Sequence, residues 1–93
     1  MSIQYAAIFA HEGTRTTIKV PACPGCIAFV ESNENALAVA KQALERYLDA
    51  VLRSGERPPE PLRETFRPGL RVEPIAVSRD LAKRLRARWV NGG

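Results

Sequence analysis

PACPGC, residues 21–26, holds both cysteines of the chain, and the residues just after it decide the fold. A redox Cys-x-x-Cys sets its nucleophilic sulfur at the N-terminus of a helix, where the dipole lowers the thiol pKa. Here Cys26 leads instead into IAFV, residues 27–30, a short apolar run that reads as a strand. A structural zinc site needs four ligands and this motif offers two. The single histidine, His11, falls in a turn at the far end of the preceding hairpin. The motif therefore reads as a turn built on Pro24-Gly25, with Cys26 packing as a small apolar residue. A metal shared between two copies of the pair stays open as the alternative.

Upstream, SIQYAAIFA puts Ile3, Tyr5, Ala7 and Phe9 on one face at period two, and Ala6 and Ile8 make the other face apolar as well. That pattern predicts a central strand. HEGT supplies a turn, and RTTIKV alternates Arg15, Thr17 and Lys19 against Thr16, Ile18 and Val20, so the pair forms a hairpin. Downstream of the third strand, Ser32 stands where a helix N-cap belongs. From residue 33 to about residue 53, Leu37, Ala40, Ala43, Leu44, Tyr47, Leu48, Val51 and Leu52 recur at spacings of three and four, which predicts an amphipathic helix. Gly55 ends it, and Pro58 and Pro59 prevent its resumption.

ERPPEPLRETFRPG, residues 56–69, has no periodicity and reads as an extended surface connector. LRVEPIAV is a fourth strand, and Pro74, which lacks a ladder donor, places it at a sheet edge or on a bulge. SRDLAKRLRARWV predicts a short basic helix capped by Ser78 or Asp80, with Leu81, Leu85 and Val90 near one face and Trp89 beside them. The whole is an α+β chain: a three-stranded antiparallel meander, a helix and a fourth strand (β-β-β-α-β), with a short C-terminal helix. Residues 1–77 form the sheet-and-helix domain and residues 78–93 a basic tail.

Ninety-three residues allow one domain with a modest core, and self-association would help so small a chain. No apolar run is long enough for a membrane span, and no basic segment precedes the first apolar stretch as in a signal peptide, so the expectation is a cytoplasmic protein with free thiols. The net charge of +4 is unevenly spread: residues 1–52 are about neutral, whereas from Arg53 onward ten arginines and lysines face five carboxylates. The second half therefore attracts anions, either nucleic acid or an acidic protein surface. Chemistry has little to build on. There is no Ser-His-acid elbow, no Gly-rich phosphate loop and no cluster of carboxylates on strands, so the expectation is a protein that is not an enzyme and carries no cofactor or metal.

Strand, strand, Pro-Gly-Cys turn, strand, then ALAVAKQALERYLDAVLRSGERPPEP resembles the HicB family, the antitoxin half of HicA–HicB toxin–antitoxin pairs. The residues that carry the resemblance are Tyr5-Ala6, Pro24-Gly25-Cys26, Ala36-Leu37, Ala43-Leu44, Tyr47-Leu48, Gly55-Glu56, Pro59 and Pro61. The chain departs from the family at Ala22 and Cys23, where an acidic residue followed by Leu or Phe is usual. The resemblance implies a partial ribonuclease-H-like fold without the ribonuclease carboxylates, the fourth strand lying beside the first. It also implies a HicA-type RNA-cleaving toxin as partner.

The surfaces expected to meet that partner are the turn Ala22, Cys23, Pro24, Gly25 and Cys26, the Pro-rich segment with Glu56 and Pro59, and the helix side with Glu34, Glu45 and Asp49, which would face a basic toxin. One helix covers one face of a sheet, so the other face and the edge beside Pro74 suit a further subunit, giving a homo-oligomer, dimer or tetramer. The competing expectation is an oligomeric protein of the same fold that binds nucleic acid through Arg79, Lys83, Arg84, Arg86 and Arg88. Residues 78–93 are too few for a helix-turn-helix, so the expectation is that they hold no complete DNA-binding module.

Overall fold

The computed structural model describes residues 2–31, 35–62 and 66–90. Strands β1 (Gln4–Glu12), β2 (Arg15–Lys19) and β3 (Ile27–Glu31) are followed by helix α1 (Ala36–Ser54), strand β4 (Arg71–Ala76) and helix α2 (Arg79–Val90). The sheet is antiparallel throughout, in the order β3-β2-β1-β4. This is the α+β order expected from the sequence, with the fourth strand beside the first.

Ladder alternation explains two sequence features. The Val77 N–H donates to the Ile3 carbonyl at 3.1 Å, which makes Ile3–Val77 a hydrogen-bonded pair, and by alternation Ala6–Pro74 is one that exchanges no bonds. The N–H that Pro74 lacks would have pointed away from β1, to the free edge, so the proline costs the ladder nothing there. β1 lies between β2 and β4, and accordingly carries apolar residues on both faces.

One face of the sheet presents Tyr5, Ala7, Phe9, Thr16, Ile18, Val20, Val30 and Ile75, all buried against the helices. α1 lays Ala40, Leu44 and Leu48 across it at spacings of four, the stripe that the helical period selects. Its N-cap is Asn35, whose side chain accepts from the Ala38 N–H at 3.2 Å; the Ser32 cap expected from the sequence lies outside the described residues. Gly55, at φ 84°, closes the helix in the left-handed conformation that a residue with a Cβ rarely adopts.

α2 buries Leu81, Ala82 and Leu85, with Trp89 half-buried beside them, whereas Val90 is 83% exposed. This corrects the expectation that groups Val90 with the buried leucines. At about 100° per residue, positions 81, 85 and 89 stay on one side while position 90 turns half a revolution away from 81.

Candidate partner-binding surface

The turn between β2 and β3 closes through the Cys26 N–H donating to the Cys23 carbonyl at 2.9 Å, while the Cys23 N–H donates to Val20 at 2.9 Å. Pro24 supplies the fixed φ of the second turn residue and Gly25, at φ 87°, the positive φ of the third, the pattern of a type II turn. Both cysteines are free and buried, and Ala22 is half-buried, so Pro24 and Gly25 form the exposed tip. Burial pushes the Cys23 thiol from 9.0 up to about 12, the neighbouring Cys26 adding to it, and burial raises Cys26 as well. A thiol held protonated is a packing group, the opposite of an activated nucleophile. His11 stands apart, its Nδ1 2.7 Å from the Thr16 hydroxyl. Among the described residues no group of three or more His, Cys, Asp or Glu gathers as a metal cluster would.

Folding thus couples to the Cys23 proton. The unfolded chain releases it near pH 9.0 and the folded chain near pH 12, so the folded state binds more protons between these values and stability falls as pH rises through them. Buried Tyr5, also raised above its ordinary 10.0 mainly by burial, acts in the same direction. The melting temperature should hold up to about pH 9 and decline above it, and the decline should be shallower in Cys23→Ala. Parallel slopes for the two proteins would remove Cys23 from the effect.

The Pro-rich segment is not the loose surface connector that its composition suggests. Pro58 is fully buried and Pro59 half-buried. The Tyr5 hydroxyl donates to the Pro59 carbonyl at 2.6 Å, and the Trp89 indole N–H donates to the Pro58 carbonyl at 2.8 Å. Arg57 donates to the Trp89 carbonyl and pairs with Glu60 at 3.2 Å, and Arg88 donates to the Gly55 carbonyl. A proline-rich segment makes few backbone bonds of its own; here the Tyr5 hydroxyl of β1 and the Trp89 indole of α2 satisfy two of its carbonyls, which ties it down as a strap. Tyr47 lies within electrostatic reach of Cys23, Cys26 and Glu56, all of which hold its hydroxyl pKa up behind the larger effect of burial. Tyr5 is similarly coupled to Cys23 and Glu60. The turn and the strap therefore meet around two tyrosines at one end of the molecule, with Pro24, Gly25 and Glu56 exposed there.

Of the acidic helix side, Glu34 lies outside the described residues. Glu45 accepts from the Ser78 N–H at 2.6 Å, and Asp49 pairs with both Arg53 and Arg84 at 2.9 Å. The Arg84 hydrogen bond, with Arg53 adding, holds the Asp49 carboxyl below its ordinary range. Both carboxylates are engaged by the fold, Glu45 by accepting from the start of α2 and Asp49 by a surface ion pair with its middle. Of the α2 cations, Arg84 and Arg88 reach back onto α1 and its C-terminus, Arg84 while still exposed, and Arg79, Lys83 and Arg86 are exposed as well.

The face of the sheet opposite the helices carries residues that the sequence reading does not single out. Ile27 and Phe29 on β3 are 49% and 59% exposed, beside Thr17 and Lys19 of β2, and the Arg15 guanidinium lies 5.3 Å from the Phe29 ring centre. The period-two alternation of IAFV could have found them; which face the helices would cover is not readable from it.

No family model, no curated protein and no solved structure matches the chain. Among the described residues no helix is long and apolar enough to cross a membrane.

Proposed function

We propose that the chain is a non-enzymatic HicB-like antitoxin that binds and neutralises a small HicA-type RNA-cleaving toxin. The observation that carries this reading is convergence: Tyr5, Pro24, Gly25, Tyr47, Glu56 and Pro59, residues from separate parts of the resemblance, come together at one end of the fold. They do so on a β-β-β-α-β frame whose exposed turn tip is held rigid by its type II geometry and whose strap is held by Tyr5 and Trp89. Rigid, exposed tips beside a carboxylate suit a basic partner, since little order is lost on binding and the charges attract. Glu45 and Asp49 support the site from behind by docking α2, and the toxin meets Pro24, Gly25 and Glu56. The protein acts in the cytoplasm as a homo-oligomer.

Co-expression with the product of the adjacent reading frame tests the proposal. That product alone should arrest growth, and this chain should restore growth and co-purify with it. Pro24→Arg combined with Glu56→Arg changes two exposed side chains and should weaken the complex about tenfold or more, roughly 1.4 kcal/mol. Unchanged affinity in the double variant would move the interface off this end, and a harmless neighbour would remove the antitoxin reading. Nucleic-acid binding through α2 is less favoured because Arg84 and Arg88 already serve the fold. That reading demands binding that collapses with added salt.

A further inference from the structure

We infer that β3 is the dimerisation edge of this protein, pairing antiparallel with β3 of a second copy about a two-fold axis at Phe29. The two edges of the sheet differ. β4 carries Pro74, whose missing N–H faces outward, together with the charged Arg71 and Glu73. Devices of this kind keep an edge from recruiting another strand, so the edge beside Pro74, expected from the sequence as a subunit contact, is the guarded one. β3, with the sequence IAFVE, holds no proline, no glycine and no lysine.

The ladder also shows which groups β3 offers. The Val20 N–H donates to the Cys26 carbonyl, so Val20–Cys26 is a bonded pair, and alternation makes Ile18–Ala28 and Thr16–Val30 the next ones. The backbone groups of Ile27, Phe29 and Glu31 then point away from β2, to the open edge. Their side chains lie on the bare face of the sheet, and two of the three are large and apolar.

A second copy fits this edge through its own chemistry. With Phe29 opposite Phe29, all three outward-facing residues are used, and Ile27 stands opposite Glu31 of the partner subunit. Lys19, the neighbour of Ile27 across β2 and β3, then has its Cα about 10 Å, two strand spacings, from that of the partner's Glu31, within reach of the lysine side chain. The pairing is self-complementary: each copy offers Lys19 beside the place where the other offers Glu31. The two Phe29 rings meet across the axis, each with its own Arg15. The contact is narrow beside the ~800 Å² per partner of a standard interface, so the dimer forms reversibly with concentration.

Sedimentation equilibrium of the full chain without any toxin tests this separately from toxin neutralisation. A monomeric chain would remove the dimer and the homo-oligomeric state but not toxin binding, and a harmless neighbouring product would leave the dimer standing. Wild-type protein should pass from monomer to dimer between micromolar and millimolar concentration. Phe29→Pro, which removes the outward N–H, as Pro74 does on β4, together with the exposed ring, should remain monomeric; should it fold poorly, Phe29→Lys, which sets two cations against each other, should do the same. In oxidised glutathione, Phe29→Cys should form a covalent dimer, because a bonded antiparallel pair sets Cα atoms ~5.5 Å apart, and Ile27→Cys should not. A wild-type protein monomeric at millimolar concentration, or folded Phe29 variants that dimerise like wild type, would overturn the inference. So would a β3 edge whose amides gain exchange protection only when toxin is added.

Discussion

Tyr5→Ala is expected to lower the unfolding free energy by about 4 kcal/mol, and Tyr5→Phe by about 1 kcal/mol. The ring is completely buried on the sheet face that meets the helices, so truncation removes its burial and leaves a cavity. The hydroxyl has a separate part, the 2.6 Å bond that ties the Pro59 carbonyl to β1. On the usual per-residue scale a domain of this length has about 5 to 14 kcal/mol in hand, so the alanine variant loses a large share and about 20 °C in melting temperature. Urea unfolding followed by circular dichroism measures both. A loss below ~1 kcal/mol for Tyr5→Ala would mean that the strap and β1 are not one cooperative unit.

Leu85→Ala is expected to cost about 3 kcal/mol and to shift the Trp89 fluorescence to longer wavelength. Leu85 is fully buried between α2 and the rest of the core, and the Trp89 indole that α2 carries donates to Pro58. Loosening α2 therefore exposes the indole and frees the strap. Asp49→Ala should cost far less, because its pairs with Arg53 and Arg84 lie at the surface, where ion pairs contribute little. An Asp49→Ala effect equal to that of Leu85→Ala would show that charge, and not apolar burial, holds α2 in place. Charge reversal at Glu45 or Asp49 then has to be read first as a change in α2 docking, since both carboxylates contact that helix or its start.

Local patterns carry the elements. The alternation of Tyr5, Ala7 and Phe9, the spacing of Ala40, Leu44 and Leu48, and the turn chemistry of Pro24-Gly25 each act within a few residues, and each has the predicted role in the fold. Pro74 is readable as an edge residue for the same reason: its missing donor restricts it wherever the chain goes. The strap escapes such a reading because proline-rich composition reports only the absence of internal hydrogen bonds. It says nothing of donors arriving from Tyr5 and Trp89, respectively 54 and 31 residues away in sequence. Glu45 and Asp49 look like an exposed acidic side for a similar reason. Their helical spacing shows one face of α1 but cannot show that Ser78 and Arg84 pack onto it.

By itself, the sequence determined that this chain is an antiparallel sheet with a helix laid across it, because periodicity, caps and turn residues act over short distances. It also determined that the cysteines sit in a turn leading into a strand. The tertiary structure alone decided which groups remain exposed. A carboxylate or a carbonyl is spent or exposed according to what distant segments bring to it, and that depends on packing across the whole fold. It left Pro24, Gly25 and Glu56 outward, engaged Glu45, Asp49, Arg84 and Arg88 in contacts between α2 and the rest of the fold, and bared Ile27 and Phe29 on the unprotected edge.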